Sequence, residues 1–141
     1  MRFMIIRRAD AETEAGVMPS EDVLAAMVQY NQQMVDAGIM RAGEGLHPSS
    51  KGALVKFQRG KPTVIDGPFA EAKELIAGFS IIDVPSLDDA IAWVKKWPSI
   101  DAGGNVQLEI RRIFEAEDFG AEFTPELRAK EEEQRARMSQ Q

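Results

Sequence analysis

Two stretches of this chain are apolar without alternation, and they limit the fold more than any other feature. Phe3-Met4-Ile5-Ile6 is one; Ile76 to Val84, with Phe79, Ile81 and Ile82 spread over both faces, is the other. A strand that is apolar on both sides must be covered on both faces. The chain supplies two amphipathic helices to do this. Ser20 N-caps the first, with Glu21 and Asp22 in its first turn, and Gly38 ends it. Its residues Leu24, Met27, Val28, Asn31, Met34 and Val35 recur at helical spacing. The second starts at Ser86 in the manner of a capping box. It carries the stripe Leu87, Ala90, Ile91 and Val94, and Trp97 closes it before Pro98. Two helices cover one sheet face. A second copy of the chain, packed sheet against sheet, covers the other, so the pattern predicts a homodimer.

The remaining segments fill in an α+β plan. Residues 8–19 read as an acidic loop. Ile39 to Leu46 reads as a strand broken by Gly43 and Gly45, which signals a bulge or a close backbone approach to a ligand. Residues 53–58 and 63–65 flank Arg59-Gly60 and read as a hairpin. Val106, Leu108 and Ile110 alternate with Gln107, Glu109 and Arg111, a half-buried strand. The order β-α-β-β-β-β-α-β is a ferredoxin-like plan with an inserted hairpin. Residues 1–114 form this domain. Residues 115–141 form a C-terminal extension, in which Phe119, Phe123 and Leu127 recur at i, i+4 and i+8 ahead of a helix of mixed charge. That helix is either solvated and docked by its phenylalanines, or an arm that clasps a partner.

Composition removes several classes of function. A net charge of −6 argues against nucleic acid and against an anionic membrane as partners. With no cysteine and one histidine, thiolate chemistry, disulfides and multi-histidine metal sites within one chain are excluded. No apolar run approaches the roughly 20 residues of a membrane span, and the run after Met1-Arg2 is too short for a signal peptide. The expected location is the cytoplasm. No phosphate loop, dinucleotide fingerprint or nucleophile elbow is present.

Asp66-Gly67-Pro68 is a strong turn signal. It opens the segment Asp66-Gly67-Pro68-Phe69-Ala70-Glu71-Ala72-Lys73-Glu74, followed by Ile76-Ala77-Gly78-Phe79. This resembles the signature of the DGPF family, part of the broader YCII-related group. Gly43-Glu44-Gly45-Leu46, Asp83-Val84-Pro85 and Glu109-Ile110-Arg111 extend the resemblance across the domain. The resemblance implies ferredoxin-like protomers joined in a dimeric α/β barrel, with a cleft lined by the signature loop. It also implies relatives encoded beside, or fused to, extracytoplasmic-function sigma factors. Better-known YCII relatives place a histidine and an aspartate together and are thought of as acid–base enzymes on that account. Here the single histidine, His47, lies in a Leu46-His47-Pro48 loop rather than in the first strand or helix.

The candidate site follows from these residues. Asp66 is either a general base at a strand end or the cap of its own Asx-turn. Phe69 is core or a cleft wall. Lys73 and Glu74 point to opposite faces of an extended segment, and either one faces the cleft or both belong to a solvated turn. His47 is a proton shuttle or a loop residue. Glu44, between two glycines, is placed to act as a base or to bind a cation. Arg111 either pairs with Glu109 or clamps a ligand carboxylate. Two functions remain open. One is a small-molecule enzyme of hydrolase or lyase type with Asp66, His47 and Glu74 as catalytic groups, Glu44, Phe69, Lys73 and Arg111 holding the ligand, and no cofactor. The other is a non-catalytic ligand-binding or regulatory module tied to sigma-factor signalling.

Overall fold

The structure is a computed structural model that describes residues 1–70 and 74–141. In chain order it contains β1 (Arg2–Arg8), α1 (Ala11–Glu14), α2 (Glu21–Asp36), β2 (Met40–Gly45), β3 (Ala53–Gln58), β4 (Lys61–Asp66), β5 (Ile76–Asp83), α3 (Leu87–Val94), β6 (Leu108–Arg112) and α4 (Pro125–Met138). Four strands form one antiparallel sheet in the order β2-β5-β1-β6. This is the strand arrangement of a ferredoxin-like fold, and β3–β4 is a separate hairpin inserted before its third strand. Arg59 and Gly60 both adopt positive φ at the hairpin turn, the geometry a two-residue connection needs.

Helices cover one face of the sheet. Phe3 and Ile5 of β1 and Ile82 of β5 are buried against Tyr30 and Met34 of α2 and Ala90 of α3. Residues one step along the strands point the other way. Met4, Ile6, Phe79 and Ile81 are only half-buried, and neither α2 nor α3 lies over them. Apolar character on both sides of β1 and β5 thus meets the helices α2 and α3 on one side only among the described residues.

Several details depart from the sequence pattern. The buried stripe of α2 runs through Tyr30 and Met34, whereas Leu24, Val28 and Val35 face solvent. The helix has apolar residues on two faces, and spacing alone does not say which one meets the sheet. Tyr30 decides it: its ring is buried, and its hydroxyl donates to the Trp93 carbonyl at 2.8 Å. Burial pushes the Tyr30 phenol up to about 12. In α3, Ala90 is the buried position and Leu87 is exposed. Trp97 lies beyond the helix and meets Tyr30 edge-on at 5.6 Å. The segment after β1 is not all loop, because Asp10 caps the short helix α1 by accepting from the Thr13 backbone. The bulge expected in the third segment sits between Met40 and Ala42. Phe119, Phe123 and Leu127 do not share a helix. Gly120 turns the chain at φ 72°, and α4 begins only after its N-cap, Thr124. Phe119 instead stacks on Phe114 at 5.0 Å between ring centres and meets Phe123 edge-on at 5.5 Å.

A buried ion pair locks the loop after α3 to the end of β1. Arg7 donates from Nη2 and Nε to the two carboxylate oxygens of Asp101, at 2.9 and 3.2 Å. Its Nη1 donates to the Arg8 carbonyl and to Asp10, and Trp97 donates its indole N–H to Asp101 at 2.9 Å. Both paired side chains are 12% exposed. Burial disfavours the Asp101 charge, but the hydrogen bonds from Arg7 and Trp97 and the Arg7 charge outweigh it and hold its pKa below the usual range. Burial likewise opposes the Arg7 charge, and Asp101 and then Asp10 more than restore it. A carboxylate with a depressed folded pKa adds stability above its unfolded value and loses it as pH falls through the folded one. Wild-type stability is therefore expected to drop as pH falls below the ordinary aspartate value of 3.8. Asp101→Asn should lose about 3 kcal/mol at neutral pH, by urea denaturation, and show a flatter acid limb.

Candidate functional site

The signature turn is held by backbone contacts that its sequence does not advertise. After β4 ends at Asp66, the Gly67 N–H donates to the Gly52 carbonyl at 3.1 Å. The Phe69 N–H donates to the Ser49 hydroxyl at 2.9 Å. That hydroxyl in turn donates to Glu14 Oε2 at 2.5 Å, and the Ser49 N–H donates to Glu14 Oε1 at 3.0 Å. A Cβ on Gly67 would lie 1.7 Å from the Ser49 carbonyl oxygen, so any other residue must displace that backbone. The Gly67–Pro68 peptide is cis, and Phe69 is half-buried.

One end of the sheet collects most of the candidate residues. The β2–β5 ladder continues past Gly45, where Leu46 N–H donates to the Ala77 carbonyl at 2.8 Å, and His47 follows directly. Ala9 N–H donates to the Leu75 carbonyl at 2.9 Å, next to Glu74. Ser49, two residues after His47, carries the signature turn. His47, Asp66, Phe69 and Glu74 thus attach to the same end of the β2–β5 pair. Glu44 lies further along β2, opposite Phe79 on the sheet face away from the helices. His47, Asp66, Glu74 and Glu44 are exposed, and among the described residues no hydrogen bond joins any two of them. The Asx-turn considered for Asp66 is not formed: among the described residues its carboxylate accepts no hydrogen bond. Lys73 lies outside the described residues.

Arg111 stands apart. It lies on β6, opposite Met4, across three strand spacings from β2, or roughly 14 Å. It donates to Glu109 Oε2 at 3.2 Å, and Arg8 donates to Glu109 Oε1 at 3.0 Å. Arg111 forms the ion pair with Glu109 at an edge where its side chain is 71% exposed. Arg111 also lines a hollow of about 470 Å³ with Met1, Leu87 and Arg112.

The open face reads as two rows across the sheet. Glu44, Phe79, Ile6 and Glu109 form one, and Ala42, Ile81, Met4 and Arg111 form the next. The centre is apolar and the rims are charged. Nothing in the sequence pattern singles out Arg8, Glu14 or Ser49. Glu14 and Ser49 are 35 residues apart, and no spacing rule links them.

A family model described as the YCII-related domain matches residues 1–116. The chain belongs to the YCII-related family. The DGPF signature is that family's, in agreement with the resemblance carried by residues 66–79. A curated relative, an uncharacterised protein of Rhizobium meliloti (strain 1021), is 35% identical over 75 residues, which is 53% of this chain and 60% of that protein. The match therefore spans less than two thirds of that relative. Among solved structures, 5-chloro-2-hydroxyhydroquinone dehydrochlorinase (TftG) from Burkholderia phenoliruptrix AC1100, in complex with 2,5-dihydroxybenzoquinone, matches at 18% identity and a TM-score of 0.44. That match covers 81% of this chain and 94% of the other. At this level no residue role transfers from it. Among the described residues of this YCII-related protein, no helix is long and apolar enough to cross a membrane.

Gly67→Ala is expected to cost about 1–3 kcal/mol, because the Ser49 carbonyl must move to admit the methyl. Gly45→Ala, whose Cβ would meet nothing within 4 Å, should shift the urea midpoint far less.

Proposed function

We propose that this YCII-related protein is a small-molecule enzyme that works by acid–base chemistry, without a metal or organic cofactor, in a cleft completed by a homodimer. The open sheet face carries this reading. Met4, Ile6, Phe79 and Ile81 form an apolar floor that no helix of the core covers, with Glu44 on one rim and the Arg8–Glu109–Arg111 group on the other. Small-molecule sites are apolar surfaces with a few placed polar groups. Packing a second sheet over this floor excludes water from it, which strengthens every charge at its rim.

In this reading Asp66 and Glu74 supply carboxylates at the mouth of the cleft and His47 supplies an imidazole. One group takes a proton from the ligand while another returns one to the leaving group. Elimination and hydrolysis both need such a pair. Phe69 forms a wall of the cleft, held in place through Ser49 and Glu14. Glu44 reaches the floor from β2. Lys73 and Arg111 complete the polar lining, Arg111 from the far edge of the sheet. The protomer alone holds the titratable groups open to solvent, so activity requires the assembled protein.

A metabolite-library thermal-shift screen on the wild type, Asp66→Asn and Glu44→Gln tests the assignment. A ligand at a hundredfold excess over its Kd stabilises the wild type by about 2.7 kcal/mol. The shift should shrink in Glu44→Gln and Asp66→Asn, and turnover should fall by about a hundredfold or more in Asp66→Asn if it is the base. A ligand that stabilises all three proteins equally contradicts the site.

A further inference from the structure

The protomer leaves two more apolar surfaces bare, and they are opposite in charge. The first is the β3–β4 hairpin, in which all residues of both strands are exposed. Val55 pairs with Val64 and Phe57 with Pro62 on one face, and Phe57 and Val64 are 70% and 65% exposed. A lone two-stranded ribbon is marginally stable in water, so this one gains from being covered. It is basic: Lys56, Arg59 and Lys61 lie in it, with Lys51 just before, against Asp66 alone.

The second surface is the outward side of α2. Leu24, Val28 and Val35 make a ridge along it, with Val28 67% exposed. From residue 9 to residue 37 the sequence contains no lysine, arginine or histidine, while Glu12, Glu21 and Asp22 are exposed. The dimensions also match. Six-residue strands make a ribbon roughly 20 Å long, and a helix of 16 residues is roughly 24 Å long.

We propose that the β3–β4 hairpin of one copy docks on α2 of a second copy, its apolar face on the Leu24–Val28–Val35 ridge and its lysines toward the acidic start of the helix. Opposite charge steers the pairing, and burial of the two apolar surfaces holds it. Because hairpin and helix are different surfaces of one chain, each copy offers one and receives the other when a two-fold axis relates them. α2 lies on the covered side of the sheet, so this contact is distinct from sheet-against-sheet packing and does not depend on the cleft proposed above.

Hydrogen–deuterium exchange compares the wild type with Val28→Arg and Val28→Leu. Position 28 is exposed and both replacements are good helix formers, so the fold is retained. Hairpin amides should exchange at least about tenfold faster in Val28→Arg than in the wild type, equivalent to about 1.4 kcal/mol. Val28→Leu should keep the protection, and β1 and β5 amides should not change. Equal hairpin exchange in wild type and Val28→Arg overturns the proposal, whatever the state of the sheet interface. Carboxyl–amine cross-linking in a mixture of labelled and unlabelled protein tests whether the partner is a second copy. Lys56 or Lys61 should join to Glu21 or Asp22 in mixed-isotope pairs, and pairs within one isotope alone overturn it.

Discussion

The antiparallel pairing of β1 with β5 is the constraint on which the rest of the structure depends. These two strands lie side by side in the middle of the sheet and are apolar on both faces. On one face Phe3, Ile5 and Ile82 meet α2 and α3, and this is the protein's core. On the other, Met4, Ile6, Phe79 and Ile81 remain half-buried. The edge strands then set the chemistry at the border of that face. Glu44 comes from β2, and Glu109 and Arg111 come from β6, because those strands flank the central pair.

What the sequence discloses is what is local. Ser20 and Ser86 cap their helices as short-range side-chain rules require, and the hairpin around Arg59-Gly60 follows from alternation and a turn. The two continuous apolar runs locate the central strands. The buried face of α2 was not legible, since Leu24, Val28 and Val35 compete with Tyr30 and Met34 for the same role and only the position of α3 decides between them. The Arg7–Asp101 pair was out of reach for a different reason. Its partners are 94 residues apart, and neither stands in a motif.

The signature illustrates the same limit at the site. Gly67 reads as a turn residue, but its strongest constraint is the Ser49 carbonyl, which occupies the space a side chain would need. Phe69 is oriented by a hydroxyl that is itself held by Glu14. Most of Asp66-Gly67-Pro68-Phe69 is therefore scaffold, fastened to the loop that follows His47. Asp66 alone offers a carboxylate with no structural bond to satisfy among the described residues. Arg111 lies on the opposite edge of the sheet from β2, a separation that no sequence spacing discloses.

The central claim is that the open face of the sheet is an interface between two copies. Light scattering coupled to size exclusion tests it most directly on Val28→Arg, which removes the hairpin–α2 contact, and on the double variant Val28→Arg/Ile81→Arg. Val28→Arg should elute at twice the 15.6 kDa of one chain. The double variant, with a charge in the middle of the open face, should elute at the mass of one chain and keep the circular dichroism of the folded protein. Val28→Arg at single-chain mass at micromolar concentration, or a double variant that still elutes at twice that mass, would contradict it.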